Sequence, residues 1–443
     1  MNERRPAQHK KKSDRNEAKN RPGAIENAVC VKKTNPSEAN RTRRRTHPGA
    51  FSRLGDYGAN VVDGIPADRR KDGVLGQAWR EFVDALMASS RAVVMAREGE
   101  CAVVGCYGDL AAEYAALGAG PAVVDRSYRG LLEVTGKDRA GWLHNLTTNE
   151  IRNLGPGEGS YAFATNVQGR ILFDLNVMAL ADRLWVDLDR RFLGVATAHF
   201  EKYRIVEDVA VADRSDEFVR IGLAGDVAVD LVAALGVRNA RAMPSVGTAV
   251  ATWQGVELRL MRDDFCGTFG VALFVPADRA VALWRAATGG ELGKAAVPAG
   301  DDAVQVRRVE SGIPWPGCEI TDAVLPAETG QLERAVSFHK GCYLGQEVVE
   351  RMRSRGSLAR RLCGLRLGPG GGARPGDEVR DAADKPVGRV TSVCTSLVLQ
   401  EMIGLGYVKS SSAAAGQDVV VVSGDGKRSA AHVVDLPFSR SKR

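Results

Sequence analysis

One run of thirteen residues, HKGCYLGQEVVER at 339–351, holds the densest chemistry in the chain. The thiol of Cys342 follows two cationic side chains, His339 and Lys340, and is bracketed by Gly341 and Gly345. The adjoining QEVVERMR has helical spacing, with Val348, Val349 and Met352 on one apolar face. A thiol near a helix N-terminus gains from the dipole and from neighbouring positive charge, both of which favour the reactive thiolate. Gln346 and Glu347 are placed to cap amides or hold a ligand, and the glycines would let a ligand approach the backbone. The competing reading makes Cys342 a small buried hydrophobe and the glycines mere turns; for a lone cysteine that reading is the commoner one. A local cysteine–histidine hydrolase dyad is weaker still, because such partners usually come from separate segments.

The remaining polar chemistry excludes several classes. The eight cysteines (30, 101, 106, 266, 318, 342, 363 and 394) form no CxxC pair, and the six histidines form no HxxxH pair. Neither a disulfide framework, a zinc ribbon nor a permanently bound metal is expected. GPGGG at 368–372 is a turn signal, since no GxxxxGK[ST] and no helix-opening GxGxxG is present.

The net charge of +7 is unevenly spread. Residues 1–50 carry 14 basic and 5 acidic side chains, a balance of +9, leaving −2 for the other 393 residues. Residues 1–73 read as a disordered basic tail, with at most weak, non-specific nucleic-acid contact through 1–50. No apolar run is long enough to cross a membrane, and no apolar stretch follows MNERRPAQHKKK as a secretory signal would require. A mitochondrial-type presequence is disfavoured by acids such as Glu3, Asp14 and Glu17. Reduced thiols in the cytoplasm are the expectation.

These residues need a frame. Residues 75–97 have helical apolar spacing (Leu75, Trp79, Phe82, Val83, Leu86), which predicts one amphipathic helix inside a linker spanning 74–106; Met87 is an alternative first residue. From about 107 to 358 strands and helices alternate. AVVDRSYRGLLEVTG reads as a strand pair around a turn, KDRAGWLHNLTTNEI as a helix, and residues 160–189 as three strands with turns at Asn166–Gly169 and Ala181–Asp182. The pattern is that of an α+β body. Short strands punctuated by Gly and Pro follow over 359–438 and predict a small β-barrel or sandwich.

KGCYLGQEVVER resembles the K-G-C-Y-x-G-Q-E signature of the YgfZ family of folate-binding proteins, which is related to the T-protein (aminomethyltransferase) of glycine cleavage. VRRVESGIPWPGCEIT and LPAETGQLERAVSFHKGC are similar to the family's flanking motifs, and the resemblance covers about 107–438. It implies a ring-like arrangement of α+β body and barrel, with tetrahydrofolate in a central channel. Tyr161 and Asp174 fall on T-protein positions near the reactive end of the folate, where a carboxylate can stabilise a developing cation. Without the resemblance, Asp174 would read as an edge-strand acid and Tyr161 as core. Lys340, Tyr343, Gln346 and Glu347 join them as expected folate contacts. Glu310 either lines the channel or pairs with Arg307 or Arg308.

Two departures from the T-protein are visible. Phe173 replaces the first acid of an Asp-Asp pair, and Ala272 replaces a glutamate of the pterin-holding stretch. The resemblance therefore implies a folate-dependent factor for iron–sulfur cluster assembly or repair, with linked effects on tRNA thiolation, centred on Cys342. Its partners would be iron–sulfur assembly or client proteins. The alternative is a tetrahydrofolate-dependent aminomethyl or one-carbon transferase.

Overall fold

The computed structural model describes residues 82, 85–86, 93–96, 102–355, 358–368 and 372–438. The basic tail and most of the 75–97 segment lie outside them. Phe82 and Leu86 are helical and buried, with the Phe82 ring edge-on to Trp284 at 5.8 Å. The predicted helix does not reach 97: Val93–Ala96 (β1) is a strand, antiparallel to Ala102–Cys106 (β2). A short apolar run satisfies either periodicity, and here strand pairing wins.

The body continues with α1 (Leu110–Gly118), β3 (Ala122–Asp125), β4 (Arg129–Thr135), α2 (Arg139–Leu146), β5 (Gly159–Thr165), β6 (Ile171–Ala179), β7 (Leu184–Asp189) and α3 (Leu193–Lys202). Then come β8 (Ala210–Asp213), β9 (Phe218–Ala224), α4 (Ala228–Ala234), β10 (Thr248–Trp253), β11 (Val256–Arg262), β12 (Gly270–Pro276) and α5 (Ala280–Gly289). β13 (Val297–Pro298), α6 (Asp301–Glu310), α7 (Leu332–Ala335) and α8 (Gln346–Arg355) complete it. The strands make two sheets, ordered β5-β6-β7-β4-β8 and β10-β11-β12-β9-β3-β13.

β3 and β4 do not pair with each other, contrary to the sequence reading. β3 joins β9 and β13, whereas β4 joins β7 and β8. Alternation marks a strand but does not name its neighbour. The chain therefore crosses from one sheet to the other at Arg126–Tyr128.

Each sheet buries one face against helices. Leu175, Val177, Val186 and Leu188 pack on Trp142, Leu143 and Phe200 of α2 and α3. Ile221, Leu223, Val271 and Leu273 pack on Leu231, Val232 and Leu283 of α4 and α5. The opposite faces meet through Leu131, Phe163, Met178 and Trp185 on one side and Met261, Ala272 and Phe274 on the other. Each such aliphatic side chain contributes about 1.5–3 kcal/mol on burial. The body is thus two helix-backed sheets, face to face.

The C-terminal strands β14 (Arg360–Leu367), β15 (Glu378–Arg380), β16 (Pro386–Thr395), β17 (Met402–Lys409), β18 (Asp418–Val422) and β19 (Arg428–Val434) form a closed barrel ordered β14-β17-β16-β15-β18-β19. Closure by β14 on β19 removes exposed sheet edges. The expected α+β body and C-terminal barrel are both present.

Candidate functional site

Where the two sheets face each other, polar residues interrupt the apolar strands at a spacing of two. Asp174 and Asn176 lie on β6, Asp187 and Asp189 on β7, and Tyr161 on β5. Cross-strand register puts Asn176 opposite both Tyr161 and Asp187. These residues, except Asp187, line a narrow cleft of about 60 Å³, open to solvent at its mouth. The inter-sheet crossing adds Arg126, Tyr128 and Arg129; Asp263, Asp264 and Phe265 follow β11; the segment 313–316 and Arg334 complete the wall.

The floor is a buried ion network. Asp187 Oδ2 accepts from Arg129 Nη2 at 2.6 Å and from Asn176 Nδ2 at 2.9 Å, while Asp187 Oδ1 pairs with Arg220. Burial opposes ionisation of Asp187, but the two guanidinium groups outweigh it and hold the carboxyl well below the usual range. Arg126 pairs with Asp263 at 2.5 Å and stacks over Phe265 at 4.1 Å. Arg334, exposed, lies over the Tyr161 ring at 4.2 Å.

Asp174 differs from these paired acids. It is 6 % exposed, its Oδ2 accepts from the Tyr161 hydroxyl at 3.0 Å, and its Oδ1 is buried with no hydrogen-bond partner. Asn176 Oδ1 is likewise a buried acceptor without a donor. Burial pushes the Asp174 carboxyl above its usual range, against the pull of Arg129 and the Tyr161 hydroxyl. Leaving an acceptor buried and unmet costs about 1–3 kcal/mol, so two adjacent ones mark a place prepared for N–H donors. The predicted residues Tyr161 and Asp174 therefore come together in the cleft.

The two departures lie elsewhere. Phe173, one residue from Asp174, points to the opposite sheet face and stacks edge-on to Phe200 at 5.9 Å. Ala272 is buried among Met261 and Phe274 between the sheets.

The other predicted residues do not line the cleft. Lys340 Nζ donates to the carbonyls of His144 and Thr147 at 2.5 Å and of Asn149 at 2.8 Å, so it closes the C-terminal end of α2. Burial pushes its pKa down to about 7, against the pull of Glu150. Tyr343 is buried, with its ring 5.1 Å from the Lys340 ammonium and its hydroxyl without a partner. Gly345 (φ +83) nests on the β5–β6 turn: a Cβ there would come within 2.4 Å of Asn166 O and 2.8 Å of Gly169 Cα. Gln346 opens α8, and the Glu347 side chain, 93 % exposed, lies 3.8 Å from Arg351.

Cys342 itself is exposed, four residues before α8 rather than at its first turn. Cys266 and Cys363 are instead buried. Asn149 ties this loop to the cleft: its carbonyl accepts from Lys340, while its Nδ2 donates to the carbonyls of Tyr161 and Arg334.

Glu310 follows neither predicted role. It accepts from the Tyr114 hydroxyl at 2.5 Å and the Ser396 hydroxyl at 2.6 Å, while Arg308 turns to Glu319. Two hydroxyls already satisfy its oxygens, so it joins body to barrel.

Sequence reasoning missed Arg126, Arg129, Asn176, Asp187, Asp189, Asp263 and Arg334. The available signal was charge at period two within β-rich runs, DLN at 174–176 and DLD at 187–189. Among the described residues no cluster of three or more His, Cys, Asp or Glu is arranged to hold a metal ion, and no helix is long and apolar enough to cross a membrane.

Comparison with known proteins gives a consistent picture. The family model described as GCVT N-terminal domain matches residues 92–340, and that of the glycine cleavage T-protein C-terminal barrel domain matches 360–439. The chain is 29% identical over 322 residues to an aminomethyltransferase of Halothermothrix orenii, covering 71% of this chain and 87% of the relative. It is 26% identical over 303 residues to a chloroplastic putative transferase of Arabidopsis thaliana, covering 68% of each. The crystal structure of glycine cleavage system aminomethyltransferase T from Bartonella henselae superposes with a TM-score of 0.72 at 21% identity, covering 81% of this chain and 97% of that one.

Proposed function

We propose that this chain, which belongs to the glycine cleavage T-protein family by its matched N-terminal and barrel domains, is a folate-dependent factor supporting iron–sulfur cluster assembly or repair. In this reading tetrahydrofolate lies in the cleft around Asp174, and Cys342 meets a partner outside it. The observation that carries the reading is a division of labour: an unsatisfied buried carboxylate inside the cleft and an exposed thiol outside it.

The cleft residues fit the group. Asp174 Oδ1 and Asn176 Oδ1 are acceptors without donors, and the pterin of a folate offers N–H donors that pair well with a carboxylate. Tyr161 and Phe265 supply aromatic rings, and the exposed Arg334 supplies positive charge suited to the carboxylates of a folate tail. Tetrahydrofolate, when bound, supplies one-carbon carriage. The chain's own residues do the rest. Asp187 fixes Arg129, and the Tyr161 hydroxyl orients the Asp174 carboxylate. Asn149 links that wall to the loop bearing Cys342.

Complementation tests the reading. In a strain lacking the protein, Cys342→Ala should fail to restore the activity of iron–sulfur enzymes and the thiolation of tRNA. Full restoration would overturn the role of the thiol. A second reading, a tetrahydrofolate-dependent aminomethyl or one-carbon transferase, is favoured by the aminomethyltransferase relatives and by Asp174. Folate-dependent turnover of an aminomethyl carrier, lost in Asp174→Asn, would establish it, and no turnover across several amine donors would remove it.

A further inference from the structure

One wall of the cleft is the segment Ile313-Pro314-Trp315-Pro316. Its two prolines have no amide, so Trp315 N is the single backbone donor between Ile313 and Gly317. That N–H donates to Glu319 Oε2 at 2.9 Å. Glu319 is 0 % exposed, and the same oxygen accepts from Arg308 Nη1 at 2.9 Å. Its Oε1 accepts from the Ser392 hydroxyl at 2.6 Å, and Ser392 Oγ in turn accepts from Arg308 Nη2 at 2.7 Å. A carboxylate taken wholly out of water persists only when so satisfied.

Two of the groups holding Glu319 belong to the barrel. Ser392 lies on β16 immediately after a break in register between Val390 and Ser392, the kind of bulge that re-aims a side chain. The Tyr407 hydroxyl of β17 donates to Glu319 O at 2.8 Å. On the opposite side the wall is fixed from the body: Arg191, paired with Asp189 at 2.8 Å, donates to Pro316 O at 2.8 Å. Among the described residues, none from the barrel lines the cleft.

We propose that Glu319 is a positioning residue that transmits the seating of the barrel, through Ser392 and Tyr407, to the cleft wall at Trp315, and so sets the affinity of the cleft for its ligand. The ligand half rests on the folate reading, and the mechanical half does not.

The test compares Ser392→Ala and Glu319→Gln with Val421→Ala in the full chain. Val421 is buried in the barrel core away from the clasp, so its truncation loosens the barrel without touching Glu319. Amide exchange of the peptide containing Trp315 and the Kd for tetrahydrofolate are read well below the melting temperature. Loss of the Ser392 hydroxyl should speed exchange at Trp315 by about tenfold and weaken tetrahydrofolate by about tenfold, the scale of one good hydrogen bond, with neither change in Val421→Ala. Wild-type exchange at Trp315 in Ser392→Ala would overturn the proposal. So would equal weakening by Val421→Ala, which would show only general loosening. If Glu319→Gln does not fold, Ser392→Ala carries the comparison. If the wild-type protein does not bind tetrahydrofolate, the folate reading falls, and exchange at Trp315 still decides the clasp.

Discussion

The Asp174 cleft and the 339–347 loop solve opposite problems. The cleft draws polar side chains from positions as far apart as Arg126 and Arg334 and leaves two buried acceptors unmet. The loop concentrates its polar residues in nine positions and uses several residues for folding: Lys340 closes α2, Gly345 nests on Gly169, and Cys342 is left in solvent. A dense motif is therefore not a dense reaction centre. The loop's residues hold one thiol in place, whereas the scattered residues line the cleft.

Four substitutions separate the regions, ordered by expected effect. Asp187→Ala should be the most damaging, because it strands Arg129 and Arg220 as buried, unpaired charges; the expected loss is about 3–5 kcal/mol in urea unfolding. Lys340→Met should cost about 2 kcal/mol by stripping three carbonyls of their donor, lowering the melting temperature with little effect on ligand affinity in the protein that remains folded. A large drop in affinity without loss of stability would make Lys340 part of the ligand site instead.

Asp174→Asn should behave in the reverse sense. A carboxyl whose folded-state pKa is raised contributes stability when protonated, present at acid pH and lost as pH rises through the raised value. At neutral pH its ionised form is a burden, so Asp174→Asn should melt no lower than wild type while binding tetrahydrofolate at least about tenfold more weakly. The stability advantage of the variant should vanish on acidification. A variant that melts clearly lower at pH 7 would show that the charge is structurally required. Cys342→Ser should change stability by less than about 0.5 kcal/mol, as expected for an exposed side chain. It should also remove one readily alkylated thiol; unchanged alkylation stoichiometry would place Cys342 out of reach.

The sequence made much of the frame legible because periodicity is local. The three strands over 160–189, the helix containing Trp142 and the barrel strands all follow from spacing and turn residues. Partnering was not legible. β3 and β4 read as a hairpin yet enter different sheets, and that crossing is what delivers Arg126 and Arg129 to the cleft. Asp174 gained its weight from family resemblance rather than from local physics. Glu310 and Lys340 were misjudged because their oxygen partners, Tyr114, Ser396 and the α2 carbonyls, lie up to 196 residues away.

The central claim is that the cleft around Asp174, and not the thiol loop, holds the folate. Calorimetric titration of tetrahydrofolate into the wild-type protein, Asp174→Asn and Cys342→Ser tests it directly. The account predicts saturable binding by wild type, the same affinity in Cys342→Ser, and at least about tenfold weakening in Asp174→Asn. Absence of saturable binding, or equal affinity in wild type and Asp174→Asn, would contradict it.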